Sequence, residues 1–208
     1  MYTLLIKENL AAAAEILKKG GLVAVPTETV YGLAANAFDA AAVQRIYEVK
    51  GRPEYKPISL LISGVEDIGR LSADAPDEAR ALGERFWPGP LTMVLNRNSS
   101  VPDIVTAGGN TVGLRCPDHP LTLELIRISG LPLAAPSANP SGFESPKDFQ
   151  KVMEYFDGKI ECAVDGGRCS VGSESTILDM TVRPFRILRQ GSLPKYELIK
   201  LLGEGKIQ

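Results

Sequence analysis

Histidine and cysteine are scarce in this sequence of 208 residues, which contains one histidine and three cysteines. Because one histidine cannot supply the two or three imidazoles of common zinc sites, H-E-x-x-H proteases and three-histidine metal centres are excluded. A Ser or Cys catalytic triad would have to use His119. Cys116, Cys162 and Cys169 include no C-x-x-C pair, and their odd number indicates a reducing compartment.

Long hydrophobic runs and an excess of one charge are also missing. No apolar stretch approaches the ~20 residues needed to span a bilayer, and no secretory signal pattern is present at the N-terminus. The 23 Lys and Arg residues nearly balance the 25 Asp and Glu residues, which leaves a formal net charge of −2. This balance disfavours charge-driven binding of bulk nucleic acid, but it is compatible with a local basic pocket. We therefore expect a cytoplasmic protein without a membrane partner.

The remaining composition, 44% hydrophobic and 23% charged, is typical of a globular chain. Helix and strand patterns alternate over the first two thirds of the sequence, and strand patterns cluster toward its end. This order predicts an α/β fold, with helices flanking a twisted mixed β-sheet in a single domain over residues 1–208. The core is predicted to cover about 8–192, and a C-terminal helix about 193–203.

Several local patterns predict particular elements. Asn9 is expected to cap a helix, and the continuous apolar run Pro57–Ile62 predicts a buried central strand. Pro146–Phe156 predicts a helix, and the runs at 175–180 and 184–188 predict a hairpin.

Hydroxyls, glycines and isolated cations gather in the loops at the predicted ends of strands. Since ligands of open α/β sheets bind at strand ends, we expect these residues to converge on one crevice. They are Thr27, Glu28 and Thr29; Lys50, Arg52 and Lys56; Thr111 and Arg115; Ser137, Asn139 and Ser141; Gly166, Gly167, Ser173 and Ser175; and Arg189.

Such a crevice would suit an anion, because cations, hydroxyls and free backbone N–H groups solvate phosphate or carboxylate oxygens. Each segment alone also has a structural explanation. The cations of Lys50–Arg52 can compensate a helix dipole, and Ser137–Gly142 can form a turn. His119 suits a helix start, and Cys169 has no candidate catalytic partner close in sequence. The residues alone therefore predict an α/β domain with an anion-binding pocket.

Seven segments of the chain resemble, in order, the YrdC-like family of threonylcarbamoyl-adenylate synthases, which act in transfer-RNA modification. Together they span about residues 22–191, and their common order makes the resemblance specific. The segments are Pro26–Leu33 (PTETVYGL), Lys50–Pro53 (KGRP), Phe86–Thr92 (FWPGPLT), Thr111–Pro117 (TVGLRCP), Ala135–Gly142 (APSANPSG), Gly172–Thr176 (GSEST) and Ile187–Gly191 (ILRQG).

The resemblance implies a deep, positively charged cavity that binds ATP and L-threonine together. The implied enzyme is a nucleotidyltransferase that condenses L-threonine, bicarbonate and ATP into L-threonylcarbamoyl-AMP and releases pyrophosphate. This reaction is the first step of N6-threonylcarbamoyladenosine formation in transfer RNA, and a separate complex would perform the transfer. Mg²⁺ would accompany ATP, whereas no structural metal and no metal-ligating residue is expected.

The resemblance also implies roles for particular residues. Lys50 and Arg52 would be catalytic, with Lys50 between the two substrates. Threonine would be held by Thr29, Arg115 and Ser175. ATP would be held by Arg52, Lys56, Thr111, Ser137, Asn139, Lys147 and Arg189.

Two alternatives remain open at this point. An RNA-binding or ribosome-maturation factor could use the same basic cavity, and it would bind RNA with a steep salt dependence. A carbamoyl-transferring paralogue would instead accept carbamoyl phosphate in place of bicarbonate and threonine.

Overall fold

The computed structural model describes residues 2–7 and 9–208. Within them lie ten strands and seven α-helices, and a 3₁₀ turn at Val65–Asp67 precedes the third helix. In chain order the elements are β1 (Leu4–Ile6), α1 (Leu10–Lys18), β2 (Val23–Val25), β3 (Gly32–Asn36), α2 (Ala40–Lys50), β4 (Leu60–Leu61), α3 (Ile68–Leu71), α4 (Asp77–Phe86), β5 (Leu91–Asn96), β6 (Thr111–Arg115), α5 (Pro120–Ser129), β7 (Leu133–Ala134), α6 (Phe149–Phe156), β8 (Cys162–Val164), β9 (Thr176–Asp179), β10 (Arg186–Arg189) and α7 (Lys195–Leu202).

The strands form one mixed sheet in the order β1-β8-β2-β3-β7-β4-β6-β5-β9-β10. β2 pairs parallel with β8 and antiparallel with β3, and β4 pairs parallel with β6 and antiparallel with β7. β9 and β10 pair antiparallel, which confirms the predicted hairpin.

Helices cover both faces of the sheet because the side chains of its strands alternate between two apolar layers. In β3, Leu33 and Ala35 join one layer and Ala34 joins the other. α1 and α5 pack on the Ala34 side, and α2, α4, α6 and α7 contribute to the opposite layer. The predicted α/β fold with helices flanking a mixed sheet is therefore confirmed. Among the described residues, each helix is too short or too polar to cross a membrane.

Local predictions differ from the structure mainly at element boundaries. α1 begins after Asn9 as predicted, but the Asn9 side chain makes no capping hydrogen bond. The apolar run Pro57–Ile62 is central in the sheet, yet only two of its residues are paired as β4. The helix predicted from Pro146 begins at Phe149, because the Asp148 side chain caps it by accepting from the Lys151 backbone N–H at 2.9 Å.

Four neighbouring strands bring the candidate residues to one edge of the sheet. β6 ends at Arg115, and the antiparallel β5 begins beside that end, where the Gly89 N–H donates to the Cys116 carbonyl at 2.8 Å. β9 runs parallel to β5 and starts directly after Ser175, and β10 ends at Arg189. The sheet order thus brings together part of the expected group, including Arg115, Ser175 and Arg189, whereas Thr111 lies at the opposite end of β6.

Candidate functional site

A cavity of about 240 Å³ lies at this edge of the sheet. Three arginines and one glutamate contribute charged groups to its lining, and most of the other polar lining groups are hydroxyls. The polar side chains that line it are Thr27, Thr29, Tyr31, Arg52, Ser59, Thr92, Arg115, Ser137, Glu174, Ser175 and Arg189.

Six of the eleven residues to which the resemblance assigns a role line the cavity: Thr29, Arg52, Arg115, Ser137, Ser175 and Arg189. The other five lie outside its lining: Lys50, Lys56, Thr111, Asn139 and Lys147. Of the further loop residues expected at the crevice, Thr27 lines the cavity, and Glu28, Ser141, Gly166, Gly167 and Ser173 do not. The structure therefore divides the candidate residues into those that face the cavity and those that act from behind it or lie apart from it.

Arg115 is held rigidly at the buried end of the cavity. Its Nη2 donates to Thr29 Oγ1 at 2.9 Å and lies 2.7 Å from Glu28 Oε1, and its Nε donates to the Gly89 carbonyl at 3.2 Å. Glu28 is itself fixed, because its Oε2 accepts from the Asp118 N–H at 3.0 Å. Nη1 has no hydrogen-bond partner among the described residues, so it is the nitrogen left to meet a ligand.

Pairs of hydroxyl groups near Arg115 lie within hydrogen-bond distance of each other. Thr27 Oγ1 donates to the Val30 carbonyl at 2.6 Å and accepts from the Thr29 and Val30 backbone N–H groups at 3.2 Å, and the Thr29 hydroxyl lies 2.9 Å from it. Across the cavity, Thr92 Oγ1 and Ser175 Oγ lie 2.8 Å apart. These groups can exchange hydrogen bonds with a polar ligand without leaving their places.

Arg189 lies in a more open part of the cavity, where it pairs with Glu174. Its Nη1 contacts Glu174 Oε2, and its Nε and Nη2 donate to the carbonyl (3.0 Å) and hydroxyl (3.2 Å) of Ser175. Glu174 Oε1 also accepts from Ser145 Oγ at 3.2 Å. About 40% of each charged side chain in this pair is exposed.

Arg52 reaches the cavity from the loop after α2. Its Nη2 donates to the Pro57 carbonyl at 2.9 Å, and its Nε donates to the Lys56 carbonyl at 3.3 Å. Burial lowers the pKa of the guanidinium. The Lys56 side chain is exposed, so the part of Lys56 that contributes here is its backbone.

Lys50 acts on a loop rather than on the cavity directly. Its buried Nζ donates to the Ser137 carbonyl at 2.5 Å and to the Asn139 carbonyl, and the Ser141 N–H donates to the Lys50 carbonyl at 2.7 Å. Burial, and secondarily the charge of Arg52, lower the pKa of the Lys50 amine to about 7. Lys50 thus fixes the loop that carries Ser137 into the cavity.

Asn139 completes this loop from within. Its Oδ1 accepts from Ser137 Oγ at 2.5 Å, and its Nδ2 donates to the Phe143 carbonyl at 2.8 Å. Thr111 lies at the start of β6, at the opposite end of that strand from Arg115. Lys147 is half-exposed, and its Nζ lies 3.7 Å from Glu144 Oε1 on a separate surface.

Some residues at the site carry little or no sequence signal. Thr92 lies inside β5, where nothing in the sequence pattern indicates that its hydroxyl faces the cavity. Glu28 and Glu174 belong to matched segments, but their pairing with arginines depends on loops that meet only in the fold. Ser145 precedes a predicted helix, and only the packing of its loop brings it to Glu174.

His119 and Cys169, the residues considered for nucleophilic catalysis, lie in structural rather than catalytic surroundings. His119 stands at the N-cap position of α5, and burial lowers its pKa. Cys169 is buried, and burial raises the pKa of its thiol to about 11, which keeps the thiol protonated near neutral pH. The described residues contain no group of three or more His, Cys, Asp or Glu that could hold a metal ion.

The fold and the cavity define an α/β protein with a polar cavity that is lined by fixed charges and hydroxyls. The family model described as telomere recombination (Sua5/YciO/YrdC) matches residues 15–191. The chain therefore belongs to the Sua5/YciO/YrdC family, as its motifs predict.

Named relatives agree with this membership. The threonylcarbamoyl-AMP synthase of Pyrococcus abyssi (strain GE5 / Orsay) is 50% identical over 195 residues, which cover 94% of this chain and 57% of that protein. The threonylcarbamoyl-AMP synthase of Bacillus subtilis (strain 168) is 46% identical over 196 residues, again 94% of this chain and 57% of the relative. The chain thus spans little more than half the length of these curated relatives.

A solved structure shows the same architecture. The crystal structure of P. abyssi Sua5 complexed with L-threonine has a TM-score of 0.95 and 46% sequence identity to this chain. The match covers 100% of this chain and 63% of the other.

Proposed function

We propose that this protein synthesises L-threonylcarbamoyl-AMP from L-threonine, bicarbonate and ATP and releases pyrophosphate. The observation that carries the proposal is one cavity in which a buried, rigidly held Arg115 lies at one end and Arg52 and Arg189 lie nearer its opening. Similarity to proteins named threonylcarbamoyl-AMP synthase supports it. The proposed product is the activated intermediate for N6-threonylcarbamoyladenosine in transfer RNA.

The buried end suits the amino acid. We assign the carboxylate of threonine to Arg115 Nη1, the guanidinium nitrogen for which the described residues 2–7 and 9–208 supply no hydrogen-bond partner. Thr29 and Ser175 would bind the remaining polar atoms of threonine, since both line the cavity and Thr29 accepts from Arg115.

The open end suits the phosphates of ATP, which enters as its Mg²⁺ complex. Arg52, Ser137 and Arg189 would contact the nucleotide because they line the cavity. Lys50 and Asn139 would position Ser137 through the loop that they hold. Lys56, Thr111 and Lys147 lie outside the lining, so the proposal for ATP does not depend on them.

The proposed chemistry needs positioning and charge stabilisation rather than a protein nucleophile. The threonine amine condenses with bicarbonate to give a carbamate and water, and a carbamate oxygen then attacks the α-phosphorus. The new bond joins that oxygen to phosphorus, and the bond to the departing pyrophosphate breaks. The arginines would offset the negative charge of the transferring group and of pyrophosphate.

We further propose that a separate complex transfers the threonylcarbamoyl group to transfer RNA in the cytoplasm. A cytoplasmic setting is consistent with three buried cysteines that form no disulfide. Weak contact of the chain with RNA stays a prediction.

A pyrophosphate-release assay tests the proposed function directly. Release is expected only when ATP, L-threonine and bicarbonate are all present. Omission of L-threonine or of bicarbonate should return the rate to background. Carbamoyl phosphate should not replace bicarbonate and threonine. ATP turnover that does not respond to threonine would contradict the proposal, and tight RNA binding with a steep salt dependence would favour the RNA-binding alternative.

A further inference from the structure

Glu174 is the one acidic side chain among the described residues that line the cavity. Its two oxygens have separate partners, Ser145 Oγ on Oε1 and Arg189 Nη1 on Oε2. Because its side chain is about 41% exposed, a ligand that enters the cavity can reach the carboxylate.

The backbone that carries this carboxylate is tightly fixed. The Glu174 carbonyl accepts from the Ser192 N–H at 3.0 Å. A Cβ at Gly191 would lie 2.3 Å from the same carbonyl oxygen, so only glycine permits this close approach. The side chain of Glu174 can therefore change partners while its point of attachment stays in place.

The chemistry of this carboxylate suits Mg²⁺ bound to a nucleotide. Mg²⁺ prefers oxygen ligands and is commonly held by one or two carboxylates together with substrate phosphates and water. Since the described residues contain no cluster of three metal-ligating side chains, the protein alone offers Mg²⁺ little, and the phosphates must supply much of the coordination.

We propose that Glu174 exchanges Arg189 for the Mg²⁺ of Mg·ATP. In the structure the carboxylate forms an ion pair with Arg189. When Mg·ATP binds, the phosphates take over Arg189, and the released carboxylate becomes a ligand of the metal. The inference rests on the ATP-binding part of the proposed function, and it adds a metal ligand to that site.

Calorimetric titration with ATP, in EDTA and in excess Mg²⁺, tests this exchange without relying on turnover. In EDTA, Glu174→Gln should bind ATP more tightly than the wild-type protein because Arg189 no longer has a competing carboxylate. With Mg²⁺ the order should reverse, and the variant should lose about tenfold or more of the gain that the metal gives the wild-type protein. Glu144→Gln is the matched control, since Glu144 forms an exposed ion pair outside the cavity.

Mn²⁺ provides a spectroscopic measure of the same ligand. With a non-hydrolysable ATP analogue, the electron paramagnetic resonance spectrum of bound Mn²⁺ should differ between the wild-type protein and Glu174→Gln, and it should not differ for Glu144→Gln. Thermal unfolding verifies that each variant is folded, and Glu174→Asp, which retains the charge, should keep part of the metal-dependent gain.

The outcomes separate the two proposals. If Glu174→Gln retains the full Mg²⁺-dependent gain and the wild-type Mn²⁺ spectrum, the exchange is wrong while ATP binding stands. If the wild-type protein binds ATP neither with nor without Mg²⁺, the proposed function itself is overturned, and the exchange with it.

Discussion

The two ends of the cavity each hold an arginine paired with a glutamate, but in opposite settings. Glu28 and Arg115 are 4% and 10% exposed, whereas Glu174 and Arg189 are 41% and 40% exposed. An isolated charge is costly in the buried setting, where water cannot replace a lost partner. In the exposed setting water can replace it, so an ion pair contributes only about 0–1 kcal/mol. The buried ion pair is therefore expected to stay formed, whereas the exposed ion pair can separate when a ligand binds.

Removal of the Glu28 side chain should have the largest effect on stability and should distinguish the two ion pairs most clearly. Glu28→Ala leaves the buried charge of Arg115 uncompensated, so the free energy of unfolding should fall by about 3–5 kcal/mol. Glu174→Ala should lower it by less than about 1 kcal/mol. Urea denaturation measures both values, and equal losses would show that burial does not distinguish the pairs.

Removal of the Arg52 side chain should greatly lower the catalytic rate while the protein stays folded. Arg52→Ala is expected to lower the rate of threonine-dependent pyrophosphate release about 100-fold or more, because a fixed positive donor to the reacting phosphate is lost. Arg80→Ala is the control, since Arg80 lies on α4 in an exposed ion pair with Glu84. Near-wild-type turnover of a folded Arg52→Ala protein would refute the assignment.

Lys50 is a third case, a buried cation held by carbonyls rather than by a carboxylate. Its pKa is about 7 in the folded protein against an ordinary value of 10.5, so between these pH values the unfolded chain binds more protons. The free energy of unfolding should therefore rise with pH across this window, by up to ~1.4 kcal/mol per pH unit. In Lys50→Met this contribution should disappear, as denaturation at pH 7, 8 and 9 would show.

The smallest effect is expected at Lys147, which lies outside both ends of the cavity. Lys147→Ala removes only a long, exposed contact with Glu144, so stability should stay within about 0.5 kcal/mol of the wild-type value. The KM for ATP should change less than about twofold for the same reason. A large rise in that KM would return Lys147 to the ATP site that the resemblance implies.

The sequence predicts those parts of the fold whose signals are local. Both ends of α5 have local signals in the sequence, because Pro120 suits the first helical position and Gly130 takes the left-handed conformation after the last. The three residues of β1 carry no local strand signal, because β1 pairs with β8, which lies more than 150 residues away in the chain. The four-residue α3 is likewise too short for a periodic pattern.

The same distinction applies to the site. Motif residues identify Arg115 and Arg189, since an arginine at a strand end is visible in the sequence. The direction of the Lys50 ammonium could not be predicted in this way, because it depends on the carbonyls of a loop that is 87 residues distant in the chain. Pairing partners such as Glu28 and Glu174 are hidden for the same reason.

The hydrogen bond that Arg115 donates to Thr29 limits how a ligand can meet this hydroxyl. One lone pair of Thr29 Oγ1 accepts from Arg115 Nη2. Toward the cavity the hydroxyl can therefore offer at most its proton and one lone pair. Because Arg115 is itself held by Glu28 and by the Gly89 carbonyl, a polar ligand atom must approach Thr29 from a direction that the guanidinium leaves free.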